Sequence, residues 1–450
     1  MLLNCQEYKT HYIRTLRLGA PIMLGQLGII VVGFADNIMV GRHSTAELAA
    51  ASFVNNFFTL AFIFGIGFSY GLTPLVGGLF ANGRYKEIGV LVKNSLFINF
   101  IVGILLSLCM LALLLRIDLL KQPPELMPYI VPYYLLQLFS VIFAMLFNSF
   151  KQFADGSTDT RTPMWIMLGA NVLNIIGNYF LIYGKCGVPE LGLTGAGIST
   201  LASRIGICLA FAFLFFRRAK YKAYAAGFRE GRVNRNSLSR LTRLGLPVGL
   251  QMGVETASFS LSVVMMGWLG SIALAAHQIV GVVTTLGFMI YYGIAAAVTI
   301  RVSNYLGKKE IGEVRRATVA GLHLVWVTAC VVVILIGCLR YRIGYLFTTD
   351  GQVAALVAVL SFSVMLYQFG DGLQIVYSNA LRGVRDVTYM AIMAFVCHFL
   401  LSLPIGYFCG FVLGWGAVGI WCGFPVGLTA LGIILYFRFR KVTVVLSGRP

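Results

Sequence analysis

The chain has 450 residues, of which 58% are hydrophobic and only 11% are charged, with a mean hydropathy of +0.84. Soluble domains carry about 25% charged residues, so this composition belongs to a chain solvated largely by lipid and excludes a large soluble catalytic module. The net charge of +19 would suggest nucleic acid in a soluble protein, but here the basic residues gather in loops between apolar runs, and no nucleic-acid partner is expected.

Apolar runs fall at 18–41, 47–79, 89–115, 128–150, 163–183, 192–216, 244–268, 273–305, 317–338, 355–381, 388–411 and 415–437. A spanning helix needs about 20 apolar residues. The sequence therefore predicts an all-α membrane protein with twelve transmembrane helices. The runs 47–79 and 273–305 exceed one span, so those helices must tilt, bend or protrude. Residues 1–17 carry polar and charged positions without an apolar run, so no cleavable signal peptide is expected. Nine cysteines, none in a CxxC pair, lie mostly within apolar runs. They read as small hydrophobes rather than disulfide partners or metal ligands.

Lys and Arg set the orientation. With the N-terminus inside, the inner segments carry 26 basic residues and the outer loops 6, leaving Lys93, Arg204 and Arg301 within helices. The positive-inside rule then puts both termini in the cytoplasm. The longest polar stretch, 217–243, holds nine of the basic residues against Glu230 alone. It suits a topology anchor, or a surface for anionic lipid. The predicted division is an N-terminal lobe over 1–220, a basic cytoplasmic linker over 221–243 and a C-terminal lobe over 244–450.

The halves repeat. Shifted by 226 positions, Arg17, Gly19, Pro21, Leu24, Gly41, Thr59, Gly67, Thr73 and Glu87 meet Arg243, Gly245, Pro247, Leu250, Gly267, Thr285, Gly293, Thr299 and Glu313. Six helices per half is an even number, so the repeats run parallel, giving two pseudo-symmetric six-helix bundles that can rock about a central cleft.

Three acids lie deep in apolar runs: Asp36, Glu255 and Asp371. An ionised group at a helix centre costs about 2.5–3.5 kcal/mol, so each needs a cavity or a partner. Helical spacing puts Tyr367, Asp371 and Gln374 on one face, Gln251 and Ser258 beside Glu255, and Asn174 and Asn178 in one stripe. Carboxylate, hydroxyl and amide oxygen suit a hard cation, and a buried carboxylate equally suits a proton. Na⁺ and H⁺ both fit, with Glu255, Asp371 and Tyr367 as the Na⁺ candidate. Each acid also fits a plainer role, pairing with a neighbour to lock helices. Arg204 fits two roles, facing Asp36 and the cavity or snorkelling to the interface. Lys93 and Arg301, near helix ends, read as snorkelling. HExxH, a Walker loop and His–Cys pairs at ligand spacing are missing, so no enzyme activity and no resident cofactor are expected.

The strings 20–41 (APIMLGQLGIIVVGFADNIMVG), 155–163 (DGSTDTRTP), 173–184 (LNIIGNYFLIYG), 275–279 (AAHQI) and 367–383 (YQFGDGLQIVYSNALRG) resemble the multidrug and toxic compound extrusion (MATE) family, in its NorM-like branch. The resemblance implies a monomer in the bacterial inner membrane that exports cationic small molecules by alternating access, in exchange for Na⁺ or H⁺. It implies roles for Asp36 with Asn174 and Asn178 in one lobe, and for Glu255, Asp371 and Tyr367 in the other. Gln278 and His277 fall in the eighth-helix motif, where His277 also suits helix packing. A flippase for lipid-linked precursors shares the architecture but would want several cavity cations, and this chain offers Arg204 against three acids.

Overall fold

Hydrocarbon offers no hydrogen-bond partner, so a spanning backbone must close its bonds within the segment, as an α-helix does. A computed structural model describes residues 5–116 and 123–448. Lys121 and Arg449, counted above in an outer loop and the inner tail, lie outside the described residues, as does the Cys5 side chain. Among the described residues, twelve helices are long and apolar enough to span: Tyr8–His43, Thr45–Ala81, Tyr85–Leu114, Pro124–Gly156, Arg161–Tyr183, Gly192–Arg217, Arg235–Trp268, Ser271–Gly307, Ile311–Leu346, Gly351–Gly383, Val387–Val412 and Gly416–Ser447. They match the twelve apolar runs one for one.

The two overlong runs resolve differently. The second span breaks at a turn after Ser69 and restarts at Thr73 with Pro74 in its first turn, where the missing N–H costs nothing. The repeat equivalent of Pro74 is Ile300, and the eighth span stays one unbroken helix over Ser271–Gly307. The eleventh span is interrupted instead. Its α-helix gives way to π-helix at Val396–Ser402 and again at Phe408–Val412, around a short α-helix carrying Pro404 in its first turn.

The duplication is visible as a shared cross-link. Thr73 Oγ1 donates to the Gln152 side-chain carbonyl at 2.7 Å, and Thr299 Oγ1 donates to that of Asn379 at 3.0 Å. Each pair sits beside a glycine with no room for a side chain. A Cβ on Gly156 would lie 3.0 Å from the Thr73 carbonyl, and one on Gly383 would lie 3.2 Å from the Thr299 carbonyl.

Contacts group the chain into two compact units, one joining the segment ending at Met23 to Leu250 onward, the other running Leu24–Gly249. These boundaries differ from the division expected at 220 and 244. The first and seventh spans are each shared between units, and the exchange falls near the repeat-equivalent prolines Pro21 and Pro247. In the unit containing Leu250 onward, the start of the first span is clamped by Arg301. Its guanidinium donates to the His11 carbonyl at 3.0 Å and to Thr15 Oγ1 at 2.6 Å, while His11 pairs with Glu313 at 3.2 Å. Arg301 is only 4% exposed. It is a buried clamp and does not snorkel. In the other unit, Gly71 and Gly245 approach so closely that a Cβ on Gly71 would lie 2.6 Å from the Gly245 nitrogen. Lys93 Nζ there donates to the Gly231 carbonyl at 2.8 Å, so its ammonium is committed to the linker.

That linker is shorter and more ordered than the expected loop, because the seventh span already begins at Arg235. Between it and the sixth span lies a nine-residue helix, Lys222–Glu230. The helix crosses the third span at two glycines: a Cβ on Gly227 would lie 1.9 Å from the Lys86 carbonyl, and one on Gly89 would lie 1.9 Å from that of Tyr224. Tyr221 is buried among Phe153, Phe211 and Phe215, and its hydroxyl donates to the Asp159 carboxylate. Lys220 and Thr162 reach the same carboxylate at 2.9 and 2.8 Å. Burial alone would raise the Asp159 carboxyl, but the hydrogen bonds from Tyr221, Lys220 and Thr162 outweigh it and hold it below the usual carboxylate range.

Gly227→Ala should cost about 1–3 kcal/mol by overpacking, read as a lowered melting temperature of the purified protein. Gly206→Ala, where a Cβ meets nothing within 4 Å, should leave it unchanged or raised. A carboxyl held low by folding stabilises above its unfolded pKa of about 3.9 and loses that contribution as pH falls through the lower folded value. Asp159→Asn should therefore flatten the acid limb of melting temperature against pH, and an acid limb identical to wild type would contradict the assignment.

Candidate functional site

In the unit Leu24–Gly249, the fifth span carries Asn174 and Asn178 one turn apart, so both amides share a face. Asn178 Nδ2 donates to Asp36 Oδ1 at 2.5 Å, and the two asparagines contact each other at 3.4 Å. Ser199 closes the group by donating to the Asn174 carbonyl at 2.9 Å. The structure thus brings Asp36, Asn174 and Asn178 together. Arg204 points inward: its guanidinium donates to Gln137 Oε1 at 3.1 Å and to Ser140 Oγ, and lies 4.2 Å from the centre of the Phe62 ring. Amide, hydroxyl and aromatic partners replace the headgroup that snorkelling would need.

In the other unit, the seventh and tenth spans converge on Glu255. Gln251 and Gln374 both donate side-chain N–H to its Oε1, at 2.9 and 2.7 Å. Gln374 also reaches Ser378 at 3.3 Å. Asp371, one turn before Gln374, is 3% exposed. Tyr367, a turn earlier, is buried between the Phe259 and Trp421 rings. Glu255, Gln251 and Gln374 are in direct contact, while Asp371 and Tyr367 occupy the same helix face.

Much of this region's hydrogen-bonding capacity is uncommitted. Buried side-chain atoms without a partner include Gln251 Oε1, Ser258 Oγ, Tyr291 Oη, both amide atoms of Gln368, Asp371 Oδ2 and both ring nitrogens of His398. Each such atom costs about 1–3 kcal/mol if nothing meets it. Spare oxygen acceptors beside two carboxyls form a donor set that a small cation or a proton with water can satisfy.

His398, Gln368 and Tyr291 were missed from sequence. For His398 the signal was available: it is an ionisable side chain within an apolar run, the same criterion that singles out the three acids. Two other candidates stand apart. His277 accepts the indole N–H of Trp421 at 3.1 Å, and Trp421 belongs to a hydrophobic cluster of the same unit, a packing contact. Gln278 is exposed, because the helix turns it away from that cluster. Gly67–Gly71 reads as a GxSxG string, yet it makes no nucleophile elbow. Ser69 is helical and buried, and its hydroxyl is spent on Asn99 Oδ1 at 2.7 Å, with the Gly65 carbonyl at 3.0 Å.

The family described as MatE matches residues 21–180 and again residues 247–408. The chain belongs to the MatE family. Its two MatE matches begin at Pro21 and Pro247, the repeat-equivalent prolines, so the family's own unit is the duplicated one. A probable multidrug resistance protein NorM of Bradyrhizobium diazoefficiens is 31% identical over 447 residues, covering 97% of this chain and 95% of the relative. Multidrug resistance protein NorM of Vibrio cholerae is 31% identical, covering 90% and 88%. These likenesses put this MatE chain in the NorM-like branch. The crystal structure of the eukaryotic MATE transporter AtDTX14 superposes with a TM-score of 0.87 at 17% identity, over 98% of this chain and 99% of that one. At that identity the likeness speaks for the MatE fold.

The division of roles can be tested. His277→Phe keeps the volume but leaves the Trp421 N–H unpaired, so it should lower the melting temperature by the equivalent of about 1–3 kcal/mol while transport stays within about two-fold of wild type. Gln278→Ala should change neither quantity. A transport loss as deep as that of Glu255→Ala in either variant would return that residue to the site.

Proposed function

We propose that this chain is a secondary transporter of the bacterial inner membrane that exports cationic small molecules in exchange for Na⁺ or H⁺, working as a monomer by alternating exposure of its sites. The observation that carries the reading is Glu255, an acid in the interior of a spanning helix that is held by two amide donors and adjoined by Asp371 and spare oxygen acceptors. Such an arrangement costs free energy unless a positive partner visits it. Relatives named multidrug resistance proteins add support, since they share most of this chain's length. Aromatic surfaces would take the apolar body of the cargo, and the acids its charge. Occupation of Glu255 and Asp371 by the coupling ion would then lower affinity for the cargo and favour its release. Asp36, on its amide donors in the other unit, offers a second place for a charge to bind. The reading needs no resident cofactor and no catalytic residue.

The orientation belongs to the same proposal. The 26-to-6 bias of basic residues supports cytoplasmic termini, and the inward-turned Arg204, committed to Gln137, Ser140 and Phe62, is too little positive charge for an anionic lipid precursor. Each charge moved inward across 100 mV supplies about 2.3 kcal/mol, roughly a fifty-fold concentration ratio. One coupling ion per cycle is therefore enough for useful export.

The test is transport of a fluorescent organic cation by proteoliposomes, with Na⁺ and pH gradients imposed separately. Wild type should respond to at least one gradient. Glu255→Ala and Asp371→Ala should each reduce the initial rate at least ten-fold while the protein remains monodisperse. Wild-type rates in both variants would overturn the site.

A further inference from the structure

The stretch 217–243 holds nine basic residues that the exchange of cations at Glu255 does not use. In the unit Leu24–Gly249, the acids on that side of the membrane are already committed. Asp159 pairs with Lys220 at 2.9 Å, Glu230 with Lys86 at 3.0 Å, Asp155 with Lys151 at 2.9 Å, and Glu87 with Arg84. None remains for Arg217, in the last turn of the sixth span, or for Arg229, in the last turn of the linker helix. Among the described residues, neither guanidinium has an ion pair or a hydrogen bond. Each lies over a ring of the sixth span instead: Arg217 is 6.0 Å from the centre of Phe213, and Arg229 is 5.7 Å from that of Phe216. The two rings are three residues apart on one helix face, and they are 63% and 38% exposed. Leu209, a turn earlier, is exposed as well, so an apolar strip leads out of the span to the two arginines. A ring attracts a guanidinium but brings no net negative charge.

We propose that Arg217 and Arg229 form a headgroup site for an anionic phospholipid in the leaflet on the linker's side. The lipid phosphate accepts N–H donors from both guanidiniums, and an acyl chain lies along Leu209, Phe213 and Phe216. Arginine suits this role because its planar fork can donate two parallel bonds to a phosphate. The apolar strip favours a lipid over a soluble phosphate, which has nothing to place there. A zwitterionic lipid carries an amine that cancels its phosphate, so the site selects net negative charge. The scaffold beneath the arginines is fixed before any lipid arrives. Phe228, next to Arg229, packs against Phe215 and Phe216 with ring centres 5.8 and 5.4 Å apart. Just beyond, Asn94 of the third span donates to the Arg232 carbonyl at 3.3 Å and accepts the Asn234 N–H at 2.8 Å. Two like charges held over neighbouring rings repel each other, and an anion from the membrane relieves the repulsion that the protein's own acids do not.

The test titrates dioleoyl phosphatidylglycerol into the full chain, purified in a neutral detergent at low salt, and follows the melting temperature. Wild type should show a saturable rise. Phosphatidylcholine with the same chains, or inorganic phosphate, should give less than a third of it. Each basic residue beside an anionic lipid surface strengthens binding about five-fold, so Arg217→Gln combined with Arg229→Gln should move the titration midpoint upward about twenty-fold. Both side chains are exposed, so the melting temperature without lipid should stay at the wild-type value. Lys9→Gln combined with Lys308→Gln removes the same charge from the other unit and should leave the midpoint within two-fold. An equal rise with phosphatidylcholine or with inorganic phosphate overturns the proposal and needs no variant. So does a midpoint that the arginine pair leaves in place, or one that the lysine pair moves as far. Detergent takes orientation and ion gradients out of the measurement, so failure here leaves the transport reading standing. Conversely, a normally transporting Glu255→Ala would end that reading and leave the lipid site in place.

Discussion

A polar or charged group placed in hydrocarbon has to find its partner within the protein, and this constraint organises both the helices and the sites of the chain. For the backbone it dictates helices, including the π turns of the eleventh span, which keep carbonyls and amides engaged where Pro404 cannot donate. For side chains it divides them into two kinds. Arg301 is fully engaged, with a carbonyl and a hydroxyl within 3.0 Å, and it holds the start of the first span. Glu255 is engaged at one oxygen by Gln251 and Gln374, while Asp371 Oδ2 has no partner and lies among acceptors that nothing else uses. Structural charges are satisfied. Asp371 is left with capacity, and that difference sets it apart from a clamp such as Arg301 and suits the exchange proposed above.

The duplication supplies a scaffold on which the two copies then diverge. The Thr73–Gln152 and Thr299–Asn379 links, each beside a glycine, are the same solution to the same helix crossing. The acids buried within spans do not follow the repeat. Glu255 corresponds to Ile29, and Asp36 to Ser262, whose hydroxyl is spent on the Ser258 carbonyl at 3.1 Å. Backbone punctuation diverges as well, since Pro74 breaks the second span where Ile300 lets the eighth continue. Packing rules are shared because both copies must bury similar surfaces. Charge placement is free to differ because each acid needs only its own local partners.

A span is recognised by the summed transfer free energy of about twenty adjacent residues, and a buried acid by its cost against apolar neighbours. Both are properties of contiguous sequence, so the twelve helices, the internal repeat, the three acids and the glutamines at helical spacing from them were all legible without coordinates. Which polar atoms remain uncommitted was not legible, because that depends on segments far apart in the chain. The pairing of His277 with Trp421, the outward face of Gln278 and the docking of the linker helix at Gly89 and Gly227 are all contacts of this kind. So is the sharing of the first and seventh spans between the two compact units. Sequence determined what must enter the membrane and what it costs to put charge there; the tertiary fold decided which of those costs were met by neighbours, because only packing between distant helices brings donor and acceptor within 3 Å.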